Sequence, residues 1–391
     1  MRILHVISGL TMGGAERQLT ILSRELLRRG HKVLIYTLNH TVPRLPELKG
    51  SGVEVIIDHK RLRLDPLVIA RLRRAARSWG AEVAHGWLYD GNIYTRVALR
   101  GLGIPVINSE RSDNYPLSYV QRLGYALTRG WGTALVANSH AGLAFASGLH
   151  RLPADRGHVV WNGIDLATVD LEAMGAPALR TALWPGQQVF IACLVGTITP
   201  PKDYPLALDT AAVLSQRDPR WRFLFVGDPW RETGAYQRGV QTRFRELRLE
   251  NICRFTNERT DAIAHIAASD VLLSTSLREG FPNVVLEAMA CGTPVVSTAY
   301  SDIRRILPLS WQVVPQRRAE LLAAAIQRAV CERSSVVTAQ RAWVEQHATA
   351  ERSVSAMEAV YALYAARNST RTANPTPASE TTQMNASART R

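Results

Sequence analysis

Four cysteines in 391 residues, Cys193, Cys253, Cys291 and Cys331, lie far apart in the chain. With no Cys-x-x-Cys pair and no Cys/His cluster, neither a structural zinc module nor a disulfide framework underlies the fold, and the spacing fits a reducing cytosol. No uncharged apolar run approaches the ~18 residues that a bilayer-crossing helix needs. The opening MRILHVISGL holds too short an apolar run for a secretory signal and reads as a buried first strand. Lysine is scarce, only four of the 47 basic side chains, so each one stands out. Apolar residues are not scarce: 46% hydrophobic against 20% charged excludes a largely disordered chain.

The length predicts two domains. The formal net charge is +14, and it is uneven, +9 over residues 1–180 and +5 over residues 181–391. A basic N-terminal half suits anionic partners: nucleic acid, an acidic membrane or phosphorylated substrates.

The dominant pattern is a short apolar strand, a loop and an amphipathic helix, repeated. Residues 2–8, 32–38, 53–57, 83–85, 105–109 and 133–138 read as strands. Leu19, Leu22 and Leu26 at helical spacing predict a helix over residues 15–29 that Gly30 stops. Asp65–Pro66 is an N-cap followed by a first-turn proline, opening a helix with Val68, Leu72, Ala75 and Trp79 on one face. The pattern restarts after Gly163, with strands at 189–195, 222–227, 270–274 and 294–297 and helices at 205–217 and 283–291. Two such runs predict an α/β protein of two Rossmann-like, doubly wound parallel-sheet domains facing a central cleft. The expected boundaries are an N-terminal domain over residues 1–165, a linker over 166–186, a C-terminal domain over 187–340, a helix over 341–366 returning to the N-terminal domain, and an unstructured tail over 367–391 that is rich in Ser, Thr, Asn and Pro, with the hinge in the loop around Trp161–Asp165 and the Gly/Pro-containing stretch to Gly186.

The segment richest in chemistry is REGFPNVVLEAMACGTP, Arg278–Pro294. Glu279 follows a strand, and Glu287 lies eight residues on, inside a helix beginning near Asn283. Gly280 permits a close backbone approach, Pro282 precedes the first turn, and Asn283 can cap it. One carboxylate therefore stands at the mouth of a crevice and the other on the first turns of a helix. The helix's N–H groups between them attract phosphate, and carboxylates so placed suit the vicinal diols of polyhydroxylated ligands. The segment sits at the carboxyl end of a parallel strand, where open α/β sheets bind ligands. Gly13 and Gly14, in the first strand–helix turn, offer N–H groups and close approach of the same kind.

This segment resembles the E-x7-E signature of the retaining glycosyltransferases of family 4, which have the GT-B architecture. GGAER (13–17), VAHGWLYDGN (83–92), ANSHAG (137–142), VVWNGID (159–165), VGTITPPKDYPLAL (195–208) and VGD (226–228) resemble the same family in the same order, over about residues 1–365. The resemblance implies a nucleotide-diphosphate sugar donor, UDP foremost, between the domains. It implies that Glu287 holds the ribose hydroxyls and that Glu279 faces the donor sugar. Gly280, Phe281, Pro282 and Asn283 would line the sugar and phosphate, with Gly13 and Gly14 opposite. Lys202 would neutralise the departing diphosphate, and His85 would stand close to the donor sugar as a catalytic group. No cofactor or metal is implied, and the Asp-x-Asp motif of metal-dependent transferases is absent. Two departures stand out. Thr197 occupies the place of the family's usual arginine, so one of two phosphate cations is missing, with Arg17 and Arg278 as substitutes. Ser301–Asp302 stands where the family often has Gly-Gly.

The same resemblance assigns the acceptor, a glycan or polyprenyl-diphosphate-linked glycan of surface polysaccharide biosynthesis, to the N-terminal half. Arg111 is the candidate for its anionic group. The basic stretch Lys60–Trp79 suits peripheral contact with an anionic membrane at the inner face of the plasma membrane, its apolar stripe serving the sheet and its arginines facing lipid phosphates. Two alternatives remain. A two-Rossmann UDP-N-acetylhexosamine 2-epimerase would share the donor but not the E-x7-E block. A nucleic-acid binder would share the charge, but the chain has no motif for nucleic-acid recognition.

Overall fold

The computed structural model describes residues 1–112, 116–227, 234–256, 259 and 261–373. Two wholly parallel sheets form its two lobes. In the N-terminal lobe the strands are β1 (Arg2–Ile7), β2 (Lys32–Thr37), β3 (Glu54–Ile57), β4 (Val83–Trp87), β5 (Val106–Glu110), β6 (Ala134–Ala137) and β7 (Gly157–Val159). Their spatial order is β3-β2-β1-β4-β5-β6-β7. In the C-terminal lobe they are β8 (Phe190–Val195), β9 (Trp221–Val226), β10 (Cys253–Thr256), β11 (Val271–Ser274), β12 (Val295–Thr298) and β13 (Val313–Val314), ordered β10-β9-β8-β11-β12-β13. Each order reverses beside its first strand, which opens a crevice at the carboxyl edge of each sheet. Helices cover both faces, so every residue of β4, β5, β6, β11 and β12 is buried.

Local sequence explains the elements near the cleft. The helix Gly14–Arg28 buries Leu19, Leu22 and Leu26. Asp65 caps the helix Pro66–Trp79 by accepting from the N–H groups of Leu67 and Val68. That helix buries Val68, Leu72 and Ala76, one position away from the expected Ala75. The expected linker is not a loop. Helices Leu166–Ala173 and Ala176–Leu183 occupy it, and Val169, Leu183 and Trp184 pack into the core of the C-terminal lobe. The crossing between lobes therefore narrows to Asn162–Ile164. There the Ile164 N–H donates to the Ala348 carbonyl at 2.9 Å, and the Ala350 N–H donates to the Ile164 carbonyl at 2.8 Å. The outgoing and returning chains thus cross side by side.

The returning helix, Ala350–Ala373, packs Val354, Met357, Val360, Tyr361 and Tyr364 into the N-terminal core. Its backbone runs past Asn368, so the expected tail begins helical, and residues 374–391 lie outside the described residues. No described helix is long and apolar enough to cross a membrane.

Beneath the cleft floor, Tyr361 Oη lies 2.6 Å from His85 Nδ1, and Trp87 Nε1 donates to His5 Nδ1 at 3.1 Å. Burial, with the nearby Arg111 charge, pushes His5 down to about 3. Burial likewise holds His85 well below its usual value. Both rings are neutral when folded and take up protons when unfolded, so their contribution to stability is present above pH ~6.5 and is lost on acidification toward ~3. Chemical denaturation at stepped pH should show stability falling through this window, and the fall should shrink in His5→Gln; an identical slope in the variant would rule out His5 as a source.

Candidate active site

The loop Thr275–Pro282 leaves the carboxyl end of β11 and enters the helix Asn283–Ala290. Side chains tie it down from several directions. Thr275 Oγ1 donates to the Lys202 carbonyl at 2.8 Å, and Thr298 Oγ1 donates to the Ser276 carbonyl at 2.8 Å. Arg317 donates to the Thr275 and Ser276 carbonyls, at 2.5 and 3.1 Å, and to Asp203 Oδ2 at 2.5 Å. The Glu279 carboxylate accepts from Ser276 Oγ at 2.5 Å and from Lys202 Nζ at 2.9 Å.

Lys202 arrives from the turn after β8. Gly196 in that turn has φ +144°, and a Cβ there would stand 2.9 Å from Lys202 Cε. A glycine is required both by the dihedral angle and by the lysine lying across it.

The second acid, Glu287, is one turn into its helix, with its side chain 7% exposed. Its partner is the Arg17 guanidinium, which reaches from the first helix of the other lobe to form an ion pair with Glu287 Oε1. A carboxylate this enclosed needs a cation, because isolated burial of its charge costs several kcal/mol.

The lobes touch closely around this pair. A Cβ on Gly280 would lie 2.0 Å from the Arg111 carbonyl oxygen, and one on Gly14 would lie 2.7 Å from Asn283 Nδ2. Asn283 does not cap its helix; Pro282 holds that position without a side-chain bond. Asn283 Oδ1 instead accepts from Asn162 Nδ2 at 2.7 Å, and Asn162 Oδ1 accepts from Arg111 Nη1 at 2.9 Å. Farther along the cleft, Asp302 adds a cross-lobe cap to the helix His140–His150, whose own N-cap is Ser139, accepting from the N–H of His140 (2.7 Å), the N–H of Ala141 (3.3 Å) and His140 Nδ1 (2.8 Å). Burial works to raise the Asp302 pKa, but these bonds from His140 and Ala141 hold it below the usual carboxylate range. Ser301, at φ +40°, donates to the Gly280 carbonyl at 3.1 Å.

Residues 12–168 match the family described as Glycosyltransferase Family 4, and residues 190–332 match Glycosyl transferases group 1. The two matches divide at the lobe boundary and place the paired acids in the second. The chain belongs to the group 1 glycosyltransferases of GT-B architecture.

Among known relatives, this glycosyltransferase is 27% identical over 328 residues to a D-inositol 3-phosphate glycosyltransferase of Thermomonospora curvata, covering 75% of this chain and 76% of the relative. It is 26% identical over 311 residues to the putative glycosyltransferase EpsF of Bacillus subtilis, covering 75% and 78%. Its fold matches that of Anabaena HepE, solved with UDP and glucose, with a TM-score of 0.80 at 20% identity, over 93% of this chain and 99% of that one.

The fold of the glycosyltransferase brings Gly13, Gly14, Lys202, Glu279, Gly280, Asn283 and Glu287 to one interlobe site. Phe281 turns its ring into the C-terminal core, leaving its backbone at the site. Arg111 is at the site's edge but is not an open anion hook. It bonds Ser109 and Asn162, and its Cζ stacks 4.2 Å from the centre of the Trp87 ring; burial pushes it down to about 10. His85 is the expectation this geometry corrects. It is fully buried against Trp87 and Tyr361, so its ring is not exposed on the cleft surface. Asp228 lies outside the described residues.

Sequence reasoning passed over Arg317 and gave no role to Asn162 or Asp302. Asn162 lay inside the matched VVWNGID, and Asp302 in the Ser301–Asp302 departure from the family pattern. Replacing Asp302 by alanine strips the His140–His150 helix of its cross-lobe cap and should cost about 1–2 kcal/mol. Thermal unfolding should detect this loss with less of it in Asp302→Asn, which keeps one acceptor; equal loss in both variants would show that the carboxylate charge, rather than the cap, matters.

Proposed function

We propose that this glycosyltransferase moves a hexose or N-acetylhexosamine, with retention, from a UDP-sugar to a glycan or lipid-linked glycan in surface polysaccharide biosynthesis on the cytoplasmic side of the membrane. The observation that carries the reading is the arrangement of two acids, each matched by a cation, around the tip of the helix Asn283–Ala290 in the interlobe gap. A nucleoside diphosphate sugar offers each group a better partner. Its ribose diol takes Glu287, its sugar hydroxyls take Glu279, and its diphosphate takes the released Lys202 and Arg17. Arg17 thereby supplies the phosphate cation that Thr197 does not. The relatives' names support sugar transfer, in one case to a phosphorylated acceptor, and HepE's bound UDP and glucose support the donor class.

In the proposed reaction, departure of UDP builds negative charge on the β-phosphate. Fixed cations that meet this charge as it develops lower the barrier more than they tighten ground-state binding. The acceptor hydroxyl attacks from the face that the diphosphate leaves, and the leaving phosphate takes its proton. Arg111 and His85 act at a distance here: Arg111 orients Asn162 and through it Asn283, and His85 anchors the returning helix.

Lys202→Ala should lower kcat about 100-fold with a smaller change in donor affinity; steady-state kinetics with an unchanged kcat would remove Lys202 from the leaving-group role. Glu287→Ala should abolish saturable donor binding in a thermal-shift screen across UDP-, GDP- and ADP-sugars. Arg17→Ala should weaken binding of UDP more than binding of uridine, whereas equal weakening would argue against a phosphate contact. Product analysis with the donor alone separates transfer from 2-epimerisation.

A further inference from the structure

The helix Tyr119–Thr128, on the outer face of the N-terminal lobe, is inside out. Its inward side is held by hydroxyls: Tyr125 Oη donates to Glu110 Oε1 at 2.5 Å, and Thr128 Oγ1 accepts from the buried Arg96 at 3.3 Å. Its outward side is apolar, with Tyr119, Val120, Leu123 and Leu127 81%, 46%, 45% and 66% exposed. Facing it are the loop before the helix Pro66–Trp79 and that helix's first turn, where Leu62, Leu64 and Leu67 are 61%, 49% and 68% exposed. These two short segments hold seven of the fifteen exposed large hydrophobic residues in the described chain. Such clustering marks a surface built to be covered by something apolar.

Between the two segments lies a pocket of about 390 Å³, walled by Leu64, Ile93, Leu123 and Leu127 and ending at Lys60 and Arg63. Arg61 and Arg122 stand exposed beside it. The nearby acids are already engaged: Asp90 pairs with Lys60, and Asp65 caps its helix. The rim is therefore net positive. The arginines expected to face a membrane are partly committed elsewhere, since Arg71 pairs with Asp58 and Arg73 bonds the carbonyls of Ala98 and Arg100. The pocket borders the carboxyl edge of the N-terminal sheet through Asp90, one of its lining residues. Asp90 accepts from Ser8 Oγ at 3.2 Å, and Ser8 directly follows β1 at the carboxyl edge of the sheet.

We infer that this pocket and its leucine rim seat the hydrocarbon segment of an anionic membrane lipid, with the exposed Arg61, Arg63 and Arg122 over its phosphate, so that the cleft mouth is held at the bilayer surface. The inference deepens the proposed lipid-linked acceptor and rests on that reading for its biological sense. Apolar insertion and basic contacts together give the two signals that stable peripheral binding needs.

Co-sedimentation of the full chain with vesicles of phosphatidylcholine, with and without phosphatidylglycerol, tests it. The protein should bind only the anionic vesicles. Both Leu64→Asp/Leu127→Glu and Arg63→Glu/Arg122→Glu should lower the partition coefficient about tenfold, and the leucine variant should remain weak at low salt. The substituted leucines are exposed, so hydrolysis of a UDP-sugar without vesicles should be unchanged in their variant; loss of that hydrolysis in the unmodified protein would sink the donor reading and leave the vesicle result standing. Three outcomes overturn the inference: no vesicle binding, binding unaffected by the leucine changes, or a concentration-dependent dimer that those changes abolish.

Discussion

A carboxylate enclosed between two lobes is stable only if something positive meets it there, and for Glu287 that something is Arg17. The acid is carried by one lobe and the cation by the other, with 270 residues between them in the chain. The pair therefore does two things at once: it neutralises a charge that burial would otherwise penalise, and it draws the glycine turn at Gly13–Gly14 onto the tip of the helix Asn283–Ala290. The closeness of that approach follows from the side chains that are missing. At Gly14 and Gly280 a single added carbon would press on the opposite lobe. Electrostatics supplies the attraction, and the glycines let it act at backbone distance.

Around the other acid the support is different in kind. Glu279 sits in a loop with no regular backbone pairing of its own, and the loop is held by side chains from three neighbours. Arg317 does most of this, bonding two carbonyls of the loop and the carboxylate of Asp203, whose φ of +46° puts it in the left-handed region. A non-glycine residue held there costs of order 1 kcal/mol, and the Arg317 bonds offset it. The result is a lysine and a glutamate from two neighbouring turns held side by side.

The alternation of strand and helix is legible from sequence because a doubly covered parallel strand must be apolar on both sides, while its helices are apolar on one. The two acids are legible because glycine, proline and asparagine crowd the turn between them. Which groups face each other across the gap is not legible, since Arg17 and Glu287, or Arg317 and Asp203, meet only after the sheets assemble. His85 shows the same limit in reverse. The family resemblance alone implied chemistry for this histidine, and its surroundings are decided by Tyr361, 276 residues later. Ser301–Asp302, a local departure from the family pattern, turns out to be a contact between lobes. The linker segment 166–186 is helical because Val169, Leu183 and Trp184 have a core to enter, which its sequence alone does not show.

The two passages of backbone between the lobes run as a bonded pair, Ile164 against Ala348 and Ala350. A Cβ on Gly163 would stand 2.8 Å from Ala350 Cα, so the passages are as near as backbone permits. Two tethers joined along a line resist swivelling and sliding and leave one soft degree of freedom, like the pin of a piano hinge. The lobes then have a single arc to travel, and each return along it brings the same atoms back into register. Alignment across the gap is in this way inherited from the paired crossing of the chain, not set anew by the groups that meet there.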